Sequence, residues 1–354
     1  IKCWGENASG QLGLGITSDR GDESGEMGDN LNVVDLGSGR TANAIVAGGS
    51  HTCAILDNLA IKCWGRSNEG QMGKGGKNGD LHQIGDGSNE MGNSLDAIEL
   101  GTGRTATAIA AGKYHNCAIL DNSSIKCWGA NTSGQLGLGD TVNRGATTDG
   151  SDQMGDNLPV VDLGSGRTAR GITAGDSHTC ALLDNFSVKC WGYNASGQLG
   201  QGVSDTDTRG DESGEMGDSL TAINLGSGRT ATSITTGTGY TCVLLDDDSV
   251  KCWGRADYGQ LGAGKTEEYN EPNASPIDLG TEITATAIAS GNFHTCAILD
   301  NSSIKCWGLN DSGQLGFGDT ITRGDSTSED GSSEMGDNLP TVDLGAGRTA
   351  RAIS

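Results

Sequence analysis

A five-residue phrase recurs six times along this chain and constrains the fold more than any other feature. It reads Ile-Lys-Cys-Trp-Gly or Val-Lys-Cys-Trp-Gly, and successive Trp residues lie 60, 64, 63, 62 and 54 positions apart. A period of this length is typical of repeat proteins, in which each unit buries its apolar face against its neighbours. The sequence therefore predicts a single domain over residues 1–354. Its visible repeats begin near Ile1, Ile61, Ile125, Val188, Val250 and Ile304.

Each repeat contains short apolar runs separated by turn residues. Residues 41–48, 51–56 and 60–64, for example, are such runs, bounded by Gly or by Asp-Asn. Runs this short favour strands buried on both faces over long helices. Residues 33–37 supply a candidate fourth strand after a Gly-rich acidic loop. Four strands per repeat predict an all-β fold, a β-propeller of four-stranded blades.

The repeats resemble those of the regulator of chromosome condensation family. Residues 109–120 read Ile-Ala-Ala-Gly-Lys-Tyr-His-Asn-Cys-Ala-Ile-Leu, and residues 128–139 read Trp-Gly-Ala-Asn-Thr-Ser-Gly-Gln-Leu-Gly-Leu-Gly. This pattern recurs over essentially the whole chain. The resemblance implies a propeller, usually of seven blades, that binds proteins through its ring faces. Paired cysteines and a long acidic insert depart from the family's pattern.

Ten of the 11 cysteines form five pairs with the same spacing of ten positions, each with a turn midway. Residues that face each other across antiparallel strands have Cα atoms about 4.5–5.5 Å apart, which a disulfide can bridge. Disulfides persist in oxidising compartments, so this pattern predicts a secreted or surface-displayed protein. The alternative is ten reduced thiols that pack as small apolar groups. The predicted pairs are Cys53–Cys63, Cys117–Cys127, Cys180–Cys190, Cys242–Cys252 and Cys296–Cys306.

Cys3 has no partner in this sequence, because its mate would lie ten positions before it. The chain also stops at Ser354, before the Gly and the His-x-Cys that follow at this point in the other repeats. We therefore expect the sequence to be an excerpt of a longer chain, whose ring has six or seven blades.

The net charge of −23 narrows the range of partners. An acidic surface repels nucleic-acid phosphates and accommodates cations or basic proteins more easily. No apolar run reaches the length of a membrane span. We therefore expect protein partners, with neither nucleic acid nor a membrane span involved.

The acidic loops recur at residues 19–29, 205–218 and 319–337, with a sparser version at 149–156. Closely spaced carboxylates with interleaved Gly offer the oxygen ligands that Ca²⁺ prefers, although their spacing differs from that of helix–loop–helix calcium sites. The alternative is a solvated loop that keeps the protein soluble. The candidate calcium ligands are Asp19, Asp22, Glu23, Glu26, Asp205, Asp207, Asp211, Glu212 and Glu215.

Arg-Gly-Asp occurs three times, at residues 20–22, 209–211 and 323–325, always within this loop. It can act as an adhesion signal, but a local turn with Arg–carboxylate pairing is the favoured interpretation. One repeat position holds His51, His115, His178, His294 and, in the fifth repeat, Tyr240, for which a structural hydrogen bond at a strand end is expected. The Lys beside each Trp is expected to extend outward or to pair with an acidic loop.

Eight Asn-x-Ser/Thr tripeptides permit N-glycosylation, although the preference of Asn for turns explains their presence equally well. They begin at Asn7, Asn122, Asn131, Asn185, Asn194, Asn273, Asn301 and Asn310.

The sequence contains no nucleophile motif, paired-carboxylate site or phosphate-binding loop, so we expect no enzymatic activity. The leading hypothesis is an extracellular or cell-surface propeller with an interaction or structural role, such as a self-assembling adhesin or fibre component. One alternative is a guanine-nucleotide exchange factor for a small GTPase, the founding activity of the resembled family. Another is a secreted propeller that inhibits an enzyme.

Overall fold

The computed structural model describes residues 1–73, 83–146, 153–202, 205–272, 275–325 and 333–354. The chain divides into two compact units, residues 1–164 with 210–217, and residues 165–209 with 218–354. Within the described ranges there are fifteen strands, five short 3-10 helices and no α-helix. No described helix has the length and apolar character needed to cross a bilayer.

The strands form five antiparallel sheets of three, each joined in chain order by short turns. The first unit holds two sheets and the second holds three. The sheets of the first unit are β1 Ala42–Ala47, β2 His51–Leu56 and β3 Ile61–Gly65, then β4 Ala106–Ala111, β5 His115–Leu120 and β6 Ile125–Gly129. Those of the second are β7 Ala169–Ala174, β8 His178–Leu183 and β9 Val188–Gly192, then β10 Ala231–Thr236, β11 Tyr240–Leu245 and β12 Val250–Gly254, then β13 Ala285–Ser290, β14 His294–Leu299 and β15 Ile304–Gly308. The 3-10 helices are Gly28–Asn30, Gly92–Ser94, Gly155–Asn157, Gly217–Ser219 and Gly336–Asn338.

The predicted fourth strand is an extended segment that makes a single backbone bond to the third strand. Ile98 N donates to Ile61 O at 2.8 Å beside β3, and the other repeats place the same bond at the same position. Two residues before the Gly that ends the segment, a side-chain oxygen accepts that Gly's N–H, as Asp35 does from Gly37 at 2.9 Å. This side-chain turn diverts the backbone from a longer ladder. The described sheets therefore have three strands, although Val34 and Leu36 are still buried.

Each predicted cysteine pair lies in register across the second and third strands of its sheet. Cys53 faces Cys63, and the five pairs have Cα–Cα distances of 4.0–4.1 Å and form disulfides. Each disulfide closes the hairpin between the second and third strands of its own sheet. The turn of each hairpin places one residue, such as Leu59 at φ 64°, in the left-handed region. Cys3 is a half-buried free thiol.

Successive repeats are joined by the Trp of the five-residue phrase. The Trp64 indole N–H donates to the backbone carbonyl of Gln11 in the preceding repeat at 3.0 Å, and the Thr52 hydroxyl donates to the same oxygen at 2.8 Å. Trp64 is fully buried by this contact. The same bond recurs from Trp128 to Gln71, from Trp253 to Gln198 and from Trp307 to Gln260.

The Gly of Gln-Leu-Gly is required by this joint. Gly13 has φ +67°, and a Cβ there would lie 2.8 Å from Trp64 Nε1 and 3.0 Å from Met91 Cε. A side chain at this position would displace the indole from its acceptor. The Gln-Leu-Gly sequence therefore supplies both the acceptor and the space for the next repeat's Trp and Met.

Of the two expectations for the repeated Lys, extension outward is wrong at the buried positions, and bonding to the end of an acidic loop is found. Lys62 is 8% exposed, and its Nζ donates to the carbonyls of Leu36 at 2.9 Å and Gly92 at 2.7 Å. Lys305 makes the same two bonds in the last repeat. Burial lowers the pKa of the Lys62 ammonium. These carbonyls belong to segments that turn away from the sheet, so their oxygens are available to bind the ammonium.

The histidine position makes the structural hydrogen bonds that the sequence predicts, and their partners lie in the next repeat. His51 Nε2 lies 2.8 Å from Asn116 Oδ1, and His178 Nε2 lies 3.1 Å from Thr241 Oγ1. Tyr240 replaces this bond by donating its hydroxyl to the carbonyl oxygens of Gly291 and His294. Burial lowers the pKa of His51 and of His178 to about 4, so both rings are neutral at pH 7.

Replacing Trp64 with Phe removes the indole donor while keeping an aromatic ring. We expect Trp64→Phe to lower the free energy of unfolding by about 2 kcal/mol, because a buried hydrogen bond is lost and a small cavity forms. Tyr193→Phe is the control and should change it by less than about 0.5 kcal/mol, because Tyr193 is exposed. Urea denaturation measures both. Equal losses in the two variants would contradict the role of the joint.

The buried histidines should make the protein less stable as the pH falls from 6.5 to 4. In that window the histidines bind protons in the unfolded chain but stay neutral in the folded protein. Each of His51 and His178 therefore lowers the free energy of unfolding by about 3 kcal/mol. His178→Tyr copies the residue found at Tyr240 and removes one of these groups. Between pH 7.5 and 4.5 this variant should lose about 2–3 kcal/mol less than the original protein. Urea denaturation at the two pH values measures both proteins. An equal loss in the free energy of unfolding for His178→Tyr and the original protein would contradict the lowered pKa of His178.

Candidate functional site

The acidic loops follow the Trp-Gly of each repeat, and four of the six are organised by a buried asparagine. They comprise residues 6–30, 66–94, 130–157, 193–219, 255–277 and 309–338, as far as the structure describes them. In the first loop, Asn7 is fully buried, accepts the N–H of Leu12 at 2.9 Å and donates to Ile16 O at 2.7 Å. Asn131, Asn194 and Asn310 make equivalent bonds in their loops. This one side chain fixes the base of each of these loops.

The Arg-Gly-Asp segments are part of the loop structure. Arg209 pairs with Asp205 at 2.6 Å, and Arg323 pairs with Asp319 at 3.0 Å. The Gly210 carbonyl accepts the N–H of Gly139 at 2.9 Å. Since these groups are already bonded, the structure favours the local-pairing interpretation over an adhesion signal.

A glutamate closes the turn after the first two Arg-Gly-Asp segments and after Gly85 in the second repeat. Glu215 Oε2 accepts the N–H groups of Gly210 at 2.8 Å and Glu212 at 3.0 Å. Glu26 does the same for Gly21 and Glu23, and these two bonds lower the pKa of its carboxyl group. The recurring Gly-x-x-x-x-Glu spacing in the first and fourth repeats was the signal for this turn.

Some candidate calcium ligands make hydrogen bonds or ion pairs within the loops, and the others are exposed to solvent. Asp19 accepts the N–H of Asn7 at 2.8 Å, Asp205 pairs with Arg209, and Glu26 and Glu215 close the turns described above. Burial and the nearby carboxylates of Glu215 and Glu212 raise the pKa of Asp211.

The remaining candidates point outward: Asp22, Glu23, Asp207 and Glu212. No group of three or more His, Cys, Asp or Glu among the described residues is arranged to hold a metal ion. Residues 149–152 of the sparser loop lie outside the described ranges.

A groove lies between successive repeats, next to these loops. In the first unit it has a volume of about 550 Å³ and is lined by residues 13–15, 32–33, 35, 87–89, 91, 93 and 94. In the second unit a groove of about 330 Å³ at the same repeat position is lined by residues 262–264, 269, 275–278, 333 and 335. We call these two the inter-repeat grooves.

The two inter-repeat grooves share their chemistry. Met91 lines one and Met335 lines the other, and each groove presents an exposed carboxylate from the predicted fourth strand, Asp35 or Asp278. Carboxylates beside apolar groups and peptide carbonyls can hold an extended basic segment. The Met and the Asp at fixed repeat positions were the available sequence signal, but only the fold brings them together from different repeats.

Comparison with known protein families identifies a match over almost the whole chain. The RCC1-like domain model matches residues 3–350. Human E3 ubiquitin-protein ligase HERC2 is 27% identical over 285 residues, which cover 78% of this chain and 5% of that protein. The Arabidopsis thaliana ultraviolet-B receptor UVR8 is 25% identical over 358 residues, which cover 99% of this chain and 71% of the receptor. The chain therefore spans only a small part of HERC2 and most of UVR8.

Solved structures agree on the fold. Yeast RCC1 (Prp20), in a crystal structure with Kap60, superposes with a TM-score of 0.69 at 17% identity, covering 99% of this chain and 73% of that one. Human WBSCR16 gives a TM-score of 0.59 at 16% identity, covering 96% and 94%. The predicted all-β propeller fold is thereby confirmed. With its repeats matched over almost their whole length, the chain belongs to the RCC1-like domain family.

Proposed function

We propose that this propeller is a non-catalytic protein-binding module that works outside the cytosol and holds basic polypeptide segments in its inter-repeat grooves. The observation that carries the proposal is the exposed carboxylate that Asp35 and Asp278 place at the same position of two grooves. A repeated site suits an extended partner that contacts several repeats, because linked weak contacts raise the overall affinity. An adhesin or surface fibre would use such a module.

The charge of the chain supports a basic partner. The net charge is −23, and exposed carboxylates such as Asp22, Glu23 and Glu212 rim the acidic loops. A surface of one sign steers oppositely charged partners and speeds their association. The same charge opposes binding to nucleic-acid phosphates.

The disulfides support the location. Five bridges staple the five described hairpins, and such bonds persist in secreted proteins and at cell surfaces but are rare in the cytosol. A related fold binds protein, since yeast RCC1 (Prp20) was crystallised with Kap60. That likeness supports protein binding as the kind of function, with the partner chosen by the loops of this chain.

Removing the groove carboxylates should weaken binding of a Lys- and Arg-rich peptide. We expect Asp35→Asn with Asp278→Asn to lower the affinity by about tenfold, since a desolvated charge pair contributes more than an exposed one. The control carries the same charge change at the exposed turn residues Asp248→Asn and Glu282→Gln. It should lower the affinity by less than about twofold, because exposed charges are screened. Fluorescence anisotropy at two salt concentrations measures both variants, and equal losses would overturn the groove assignment.

The location is tested on protein taken from its natural source without reductant. After alkylation, mass spectrometry should find the ten paired cysteines unmodified and joined in the five hairpin bridges. Ten alkylated thiols would overturn the extracellular location. Accelerated nucleotide release from a small GTPase would overturn the non-catalytic assignment in favour of an exchange factor.

A further inference from the structure

The Asn-x-Ser tripeptides fall into two structural classes that the sequence does not distinguish. One class lies at the base of the acidic loops and the other in the hairpin turns between the second and third strands. The loop class consists of Asn7, Asn131, Asn194 and Asn310, and the hairpin class of Asn122, Asn185 and Asn301. Asn273 lies outside the described residues.

The asparagines of the loop class are fully buried and bonded at both ends of the amide. Asn131 Oδ1 accepts the N–H of Leu136 at 2.9 Å, and its Nδ2 donates to Asp140 O at 2.7 Å. A sugar on Nδ2 would remove one of these donors and force a large polar group into a space filled by protein. A chain glycosylated there could not form its loop.

The asparagines of the hairpin class are exposed and leave Nδ2 available. Asn122 Oδ1 accepts the Oγ–H of Ser124 at 2.7 Å and its N–H at 3.2 Å. Asn185 with Ser187 and Asn301 with Ser303 repeat both bonds. No described protein group accepts a hydrogen bond from Nδ2 of these three residues. The turn thus holds the hydroxyl against the amide oxygen and presents the amide nitrogen to solvent.

We propose that Asn122, Asn185 and Asn301 are acceptors of N-linked oligosaccharide, and that Asn7, Asn131, Asn194 and Asn310 are not. The donor is a lipid-diphosphate oligosaccharide. Nδ2 bonds to C1 of the first sugar, the bond from C1 to the diphosphate oxygen breaks, the lipid diphosphate leaves, and Nδ2 loses one proton. The inference rests on the extracellular location proposed above.

The glycans would lie away from the acidic loops. The hairpin turn precedes the third strand, and the acidic loop follows it, so the two lie at opposite ends of a five-residue strand such as β6. At about 3.3 Å per residue this separation is roughly 13 Å. The oligosaccharides would therefore extend from the end of each sheet that lies away from the acidic loop.

Two other hairpins provide matched controls within the same chain. Asn58 precedes Leu59 and Ala60, so it has the asparagine but no hydroxyl. Asp247 accepts the N–H and Oγ–H of Ser249, so it has the hydroxyl but a carboxylate in place of the amide. Both turns share the left-handed middle residue, with φ 64° at Leu59 and 62° at Asp248.

The test is site occupancy in protein secreted from eukaryotic cells. Release of glycans by peptide-N-glycosidase in ¹⁸O-water labels each occupied Asn for mass spectrometry. Asn122, Asn185 and Asn301 should be labelled and the four buried residues should not. Ser124→Ala should abolish labelling of Asn122 only, while Ala60→Ser and Asp247→Asn should each add one labelled site.

Unlabelled hairpin asparagines, or labelled loop asparagines in the folded protein, would overturn the inference. The occupancy is measured on the unmutated protein first, so it does not depend on the folding of any variant. If the three hairpin sites are fully occupied but the protein does not bind the Lys- and Arg-rich peptide, the proposed binding function alone is overturned. Empty hairpin sites with intact disulfides and binding would overturn the glycosylation alone.

Discussion

The hydrogen bond from a Trp indole to a backbone carbonyl of the preceding repeat is the contact on which the rest of the structure depends. Trp64 reaches Gln11 in this way, and Trp307 reaches Gln260. The acceptor lies in a Gly-rich turn and the donor at the end of a disulfide-stapled hairpin. The rigid hairpin and the tight turn meet at the Gln carbonyl oxygen. This contact fixes the distance between neighbouring repeats, and therefore the width of the groove between them.

The sequence predicted the parts of the fold that are local in the chain. The strands, the hairpin turns and the cysteine pairing follow from apolar runs, turn residues and a spacing of ten. The predicted fourth strand does not join the sheet, because Asp35 and its equivalents bend the backbone after one backbone hydrogen bond to the third strand. The buried Lys62 was also missed, because its acceptors Leu36 and Gly92 lie 26 and 30 residues away and only the folded chain brings them close.

The candidate site was predictable in part. Acidic side chains and Arg-Gly-Asp segments stood out in the sequence, but their carboxylates mostly serve the loops that carry them. Glu215 binds backbone N–H groups and Asp205 binds Arg209. The exposed carboxylates that line the grooves, Asp35 and Asp278, did not stand out, because nothing local marks them as facing a groove.

The fixed spacing around each joint has a consequence for how such a chain changes over evolutionary time. Gln and Gly follow each Trp at the same offsets of seven and nine residues, and Gly28 precedes Cys53 by the same interval as Gly92 precedes Cys117. Variation in repeat length therefore falls between these blocks, in the acidic loops. Insertions and deletions there leave every joint in register, so whole units can be duplicated or exchanged by recombination while the loops diversify independently.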